Sequence, residues 1–282
     1  MHCMAATSNV PIRPYLLNSW TTGPPARRDI MKTTGNTILI TGGGSGIGRE
    51  LAREFHALGN TVIVAGRTAS SLEETIKGRD GMHARTLDVS DAADISRFAK
   101  ALIADFPALN VLFNNAGIMV KEDWLADPVD LSVTEATVTT NILGPIRLTA
   151  ALLPHLRAQP VARVVNVTSG LAYVPLAHAP AYSASKAALH AWTQSLRYQL
   201  RDTNVEVIEL APPGVQTSIT PGQETRESYM PLADFTAETM ESFRIEDTPA
   251  EVCVQRAKML RAAEASGNFD QIFKGLNDGY EG

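Results

Sequence analysis

Thr41-Gly42-Gly43-Gly44-Ser45-Gly46-Ile47-Gly48 lies between an apolar run, Asn36-Thr-Ile-Leu-Ile-Thr41, and a segment with helical spacing. In residues 47–58, Ile47, Leu51, Phe55 and Leu58 share one face, and Gly59 ends the helix. Gly42, Gly46 and Gly48 let the backbone turn tightly and approach a bulky anion such as a pyrophosphate. The helix behind them offers free N–H groups and partial positive charge. Gly44, Ser45 and Ile47 complete the turn, and Ser45 is its only polar side chain. A glycine string alone says little, but strand, turn and helix followed by a second strand, Thr61-Val-Ile-Val-Ala65, is a nucleotide-binding context.

The rhythm continues outward. Short strands are expected at 86–89, 111–113, 162–168 and 205–210, and helices at 91–105, 133–157 and 180–201. Strand, helix, strand in this order means parallel pairing with right-handed crossovers. The expected fold class is therefore α/β, a Rossmann-like doubly wound parallel sheet flanked by helices on both faces, in a single domain. Ligands in such a sheet sit beyond the carboxyl ends of the strands. Residues 213–246 lack clear periodicity and read as a substrate lid at about 216–246. Thr248-Pro249-Ala-Glu251 reads as a helix start, with that helix reaching about Ser266. Phe269, Ile272, Phe273 and Leu276 suit a short amphipathic helix, and no clear seventh strand is visible.

Composition narrows the function. Of 282 residues, 25 are Lys or Arg and 30 Asp or Glu, a net charge of -5, which argues against nucleic acid as the main partner. No apolar run of membrane-spanning length occurs, so no membrane association is expected. Cys3 and Cys253 suggest no disulfide framework, so a reducing, cytoplasmic location is the expectation. Residues 1–30 carry four prolines, three arginines and one acid. They read as a poorly ordered extension or an upstream start, with an organelle transit peptide as the alternative, which leaves 31–282 as the catalytic domain.

At the end of the second strand stands Ala65-Gly66-Arg67-Thr68. An acid there would bind the ribose hydroxyls of NAD. Gly66 removes that repulsion, and Arg67 can pair with a 2'-phosphate. NADP(H) is therefore the expected cofactor, with NAD(H) left open. Farther on, Tyr182 and Lys186 stand four apart in Tyr182-Ser-Ala-Ser-Lys186 and share a helical face. An ammonium near a phenol lowers its pKa, which would give a proton donor and acceptor near neutrality. Ser169 ends the fifth strand and could hydrogen-bond the same substrate oxygen. His155, His178 and His190 are scattered, and no metal site is expected.

These motifs, with Asn114-Asn-Ala-Gly117, Asn141 and Pro213-Gly214-Val215-Gln216-Thr217, make the chain resemble the short-chain dehydrogenase/reductase family over about residues 35–265. The resemblance implies Tyr182 as general acid in reduction and base in oxidation. It implies that Lys186 binds the nicotinamide ribose and that Ser169 polarises the carbonyl. Asn141 would hold a water that links Lys186 to solvent. Asp88 and Val89 would flank the adenine, and Asn115, Ala116 and Gly117 would line the adenosine side. Val215 and Thr217, within a motif that includes Pro213 and Gly214, would touch the carboxamide. Hydride would pass to or from a carbonyl or secondary alcohol. The family's dimer face uses helices near 133–157 and 180–201, so a homodimer or homotetramer is expected. Val207-Ile-Glu-Leu-Ala-Pro-Pro-Gly214 and Phe269-Asp-x-x-Phe273 resemble a bacterial branch named for a D-alanyl–teichoic acid gene cluster, DltE-like, whose label carries no chemistry.

The substrate pocket is expected at Trp124, Leu171, Ala172 and Tyr173 with parts of the lid, and suits a small to medium, partly hydrophobic molecule. A catalytically silent NADP(H)-binding sensor on the same fold is the competing reading, although such a protein would usually have lost part of the tetrad Asn141, Ser169, Tyr182 and Lys186.

Overall fold

The computed structural model describes residues 32–245 and 248–279. The expected extension 1–30 lies outside the described residues. Within them, the apolar runs become β1 (Thr37–Thr41), β2 (Thr61–Gly66), β3 (Met82–Thr86), β4 (Leu109–Asn114), β5 (Ala162–Val167), β6 (Val205–Ala211) and β7 (Glu251–Cys253). They form one parallel sheet in the order β3-β2-β1-β4-β5-β6-β7. The order reverses between β1 and β4, and a crevice opens at such a reversal.

Helices cover both faces. α1 (Gly46–Ala57), α2 (Ala69–Ile76) and α7 (Leu232–Arg244) pack against one side. α3 (Ala92–Asp105), α5 (Gly144–Ala158) and α6 (Pro180–Gln199) pack against the other. The period-two pleat sorts the central strand: Ile38 and Ile40 enter the first core and Leu39 the second. Phe55, Phe113 and Phe243 tie α1, β4 and α7 together, with ring centroids 5.2 to 5.7 Å apart. A short α4 (Ser132–Val138) joins α5 through a π-turn at Thr139–Leu143. After β7 come α8 (Gln255–Arg261) and α9 (Phe269–Asp278).

Three expectations need correction. The third strand is not 86–89 but Met82–Thr86, an edge strand whose side chains are mostly part-exposed, so its sequence carries no apolar run. The aperiodic stretch from 213 contains α7, which hides Thr236 and Thr239 beside Phe235, Met240 and Phe243. Buried threonines masked its period. The helix expected from Thr248 does not start there. Glu251-Val-Cys253 instead pairs with Glu209-Leu-Ala211 and satisfies the open edge of β6, so a seventh strand exists. The tail helix at 269–278 forms and lays Phe269, Ile272, Phe273 and Leu276 on Val174, Leu260 and Ala263.

Candidate active site

The carboxyl ends of β1, β4 and β5 converge on a cavity of about 420 Å³. Gly42, Ser45, Gly46, Ile47, Arg67, Asn115, Ala116, Gly117, Pro213, Val215 and Thr217 line it, together with Ser169, Tyr182 and Lys186. Gly46 sits at φ +51, in the left-handed region, so the turn enters α1 without steric cost. Ser45 caps α1 without a side-chain hydrogen bond, and its first turn holds no acid, which leaves a field suited to an anion. Thr41 Oγ1 accepts from the Asn115 and Ala116 amides, both at 3.0 Å, and Asn115 Nδ2 donates to the Thr41 carbonyl at 2.9 Å. β1 and β4 are thereby locked at the crevice. The donor set and the glycine floor fit a dinucleotide.

Other expected cofactor residues lie behind this surface. A Cβ on Gly44 would meet Ser71, and one on Gly48 would meet Asn115 and the Gly42 carbonyl, so both act by letting neighbours close in. Asp88 accepts from the Ser90 hydroxyl at 2.6 Å and amide at 2.9 Å. Those bonds, the hydroxyl first, hold its carboxyl below the usual range, with the Arg67 charge adding to them. Neither Asp88 nor Val89 reaches the cavity lining, and the Val89 side chain joins the core.

The tetrad is gathered on one wall. Leu171 N–H donates to Ser169 Oγ at 3.1 Å, and Ser169 and Tyr182 line the same cavity. Lys186 Nζ donates to the Val167 carbonyl at 2.8 Å and stands 5.5 Å from the Tyr182 ring centroid. Asn141, buried in the π-turn, bonds the Ile118 amide and carbonyl, both at 2.9 Å, and Ser185 Oγ at 3.1 Å. Both of its N–H donors are engaged, so it anchors the Gly117–Ile118 backbone beside Lys186. π-Turns of this kind recur at functional sites.

The electrostatics correct one expectation. The Tyr182 phenol is not lowered: burial pushes it up to about 12, with the Ser169 hydrogen bond only partly offsetting that. Burial also pushes Lys186 down to about 8. The Lys186 ammonium donates to the Val167 carbonyl at 2.8 Å. Tyr182 is therefore a phenol at neutral pH, set up as a proton donor.

A family model described as short chain dehydrogenase matches residues 36–228. The chain belongs to the short-chain dehydrogenase family. An "Uncharacterized oxidoreductase DltE" of Bacillus subtilis is 39% identical over 249 residues, 88% of this chain and 98% of that protein. A solved short chain dehydrogenase from Burkholderia cenocepacia in complex with NADP superposes at a TM-score of 0.73 and 22% identity, over 87% of this chain and 99% of that one. A 3-ketoacyl-(acyl-carrier-protein) reductase from Brucella melitensis complexed with NADH gives 0.71 and 24%, over 80% and 100%. At that identity the two structures speak for the fold alone.

In this short-chain dehydrogenase, the expected substrate residues separate. Leu171 lines an apolar chamber of about 100 Å³ against Ser169 and Tyr182. Tyr173 turns away: its hydroxyl donates to Glu209 at 3.1 Å, and its ring packs on His190 and under Arg261. A buried carboxylate needs donors, and Tyr173 is recruited to supply one. Ala172 lines neither cavity. Trp124 is 54% exposed on the 115–131 loop and lines neither cavity. Ile219, Gln223 and Tyr229, from the expected lid segment, line the chamber, and sequence reading missed Met119, Leu176, Leu260 and Leu276 beside them. Of these only Leu276 carried a signal, as part of the tail's apolar face. Among the described residues no helix is long and apolar enough to cross a membrane, and no group of three His, Cys, Asp or Glu is placed to hold a metal.

Proposed function

We propose that this protein is an NADP(H)-dependent oxidoreductase that transfers hydride between the cofactor and a carbonyl or secondary alcohol, with Tyr182 as general acid and base. The observation that carries the reading is the placement of Ser169 and Tyr182, which line both the glycine-lined cavity and the apolar chamber. When bound in the cleft, a nicotinamide cofactor supplies or takes up the hydride. The chain's own residues do the rest. Ser169 and Tyr182 both aim hydroxyls at one carbonyl oxygen, and donors preorganised toward a developing alkoxide are a large source of rate. Tyr182 transfers its proton to that oxygen as the carbon is reduced, and reprotonation passes through Lys186, with Asn141 fixing the backbone beside it. Positioning in the chamber supplies the remaining advantage.

Solved relatives of this fold hold NADP and NADH alike. The preference for NADP rests on Gly66 and Arg67, because Arg67 lines the cavity and no acid occupies the strand end. Self-association into a homodimer or homotetramer and a cytoplasmic location belong to the same proposal, as does the assignment of residues 31–282 to one catalytic domain.

The test is a panel of carbonyls and alcohols with purified protein and both cofactors, followed at the NADPH absorbance band. Tyr182-dependent turnover is expected, and Tyr182→Phe lowers it by about a hundredfold or more. A Tyr182→Phe variant that turns over like wild type overturns the acid–base role of Tyr182, and a wild type that binds NADPH yet reduces nothing overturns the enzyme reading in favour of a sensor.

A further inference from the structure

The chamber at Ser169 and Tyr182 is too small for a medium-sized substrate, and its outer wall leads to a second space. Pro213, Gly214, Tyr229, Leu260 and Leu276 border both the chamber of about 100 Å³ and a cavity of about 680 Å³ beyond it. Tyr229 is the partition. Its ring lies flat enough on Gly214 that a Cβ there would be 3.1 Å from three ring carbons. It lines the chamber together with Tyr182. The outer cavity differs in chemistry. Among the described residues, Arg226, Arg256 and Glu227 are the charged groups in its lining. The Arg226 guanidinium sits 5.0 Å from the Tyr229 ring centroid and 3.4 Å from its hydroxyl, so it is held at the partition. Arg256 comes from the other side, on the first turn of α8.

We propose that the substrate is an aldehyde or ketone with an anionic group at its far end: the carbonyl and an apolar linker fill the chamber, and the anion passes Tyr229 to meet Arg226 and Arg256. This deepens, and rests on, the oxidoreductase reading. The lid segment supplies Arg226 and Tyr229, α8 supplies Arg256 and Leu260, and α9 closes the wall with Leu276. The tail helix is held over this gap by Asn277, whose side chain accepts from the Ala177 amide at 2.6 Å and donates to the Pro175 carbonyl at 3.2 Å. Three elements with no part in hydride transfer thus meet around one charge-selective mouth.

The experiment compares matched aldehydes with and without a terminal carboxylate: succinic semialdehyde against butanal, adipic semialdehyde against hexanal, suberic semialdehyde against octanal. At the best length, kcat/KM favours the carboxylate by about tenfold or more, mainly through KM, as two part-exposed ion pairs would give. In an Arg226→Gln, Arg256→Gln double variant the preference falls toward one. The Arg226→Lys, Arg256→Lys variant keeps part of it, which excludes simple misfolding, and added salt erodes the wild-type preference. Equal or better turnover of the neutral aldehyde at every length overturns the proposal, as does a preference that survives the glutamine variant. If the whole series is refused while the broader panel shows Tyr182-dependent turnover, this inference fails and the oxidoreductase reading stands. If both sets are refused, both fail.

Discussion

Gly48 is where the fold and the cofactor cleft depend on one missing methyl group. A Cβ there would lie 2.5 Å from the Gly42 carbonyl oxygen and closer still to Asn115 Nδ2, against an ordinary contact of 3.4 to 4 Å. Roughly one ångström of overlap falls on backbone. Neither neighbour is free to yield, because Asn115 Nδ2 is bonded to the Thr41 carbonyl at 2.9 Å. Gly48→Ala must therefore displace Gly42 and Asn115, both part of the cavity lining. Overpacking of this kind costs about 1–3 kcal/mol. Borne by the cofactor surface, the middle of that range weakens NADPH binding about thirtyfold. Borne by the fold, it lowers Tm by about 2–4 °C for each kcal/mol. Fluorescence titration with NADPH and a thermal melt read both. Gly275→Ala is the control, since a Cβ there meets nothing within 4 Å and alanine favours a helix interior. If Gly48→Ala binds NADPH with the wild-type Kd and melts at the wild-type temperature, the close-approach argument is wrong.

Further outcomes follow from the same geometry. Arg67→Ala weakens NADPH by about tenfold or more while leaving NADH within about twofold, as loss of a charge-assisted contact requires; equal losses by titration defeat the NADP assignment. Because burial holds Tyr182 up at about 12, alcohol oxidation, which needs the phenolate, gains in kcat/KM with each rise in pH below about 12, whereas reduction stays level. Two flat profiles would contradict it. Lys186 is pushed from 10.5 to about 8, so the folded chain binds fewer protons than the unfolded one between those values. Stability lost at neutral pH, about 3 kcal/mol, is regained as pH climbs from about 8 to 10.5. Lys186→Met therefore raises Tm at neutral pH while abolishing turnover, and a lower Tm in the melt would refute this.

Sheet and cleft were legible because their signals are local. Glycines 42, 46 and 48 report backbone that must turn or close in, and the apolar strands 37–41, 61–66 and 162–167 report burial on both faces. Tyr182 and Lys186 share a helical face whatever surrounds them. What failed to show was set by distant partners. Glu251-Val-Cys253 is a strand only because the edge of β6 offers it a ladder. Tyr173 follows Ser169 closely in sequence, yet its direction is decided by Glu209, on another strand. The protonation of Tyr182 depends on how deep it lies, which spacing does not encode. Tyr229 belongs to a stretch with no period, and its place over Gly214 comes from the Val215–Met230 pairing and the Met230 amide bonded to the Gly214 carbonyl at 2.8 Å.

Glu209 shows how the hidden part serves the visible part. It is fully buried in β6, a costly place for a carboxylate without donors. Thr168 Oγ1 donates to it at 2.6 Å, Tyr173 at 3.1 Å, and His190 Nδ1 lies 2.8 Å away. Thr168 immediately precedes Ser169, His190 stands one turn beyond Lys186 on α6, and Tyr173 follows the 3-10 turn after Ser169. One carboxylate thus pins the strand end, the turn and the helix that carry the catalytic hydroxyls and amine. Glu209 itself is buried, and its bonds hold the three elements in one mutual register. Preorganised donors are effective only if they do not need to move as charge develops, and a buried acid behind the cleft meets that condition more firmly than any contact within the solvent-filled cavity.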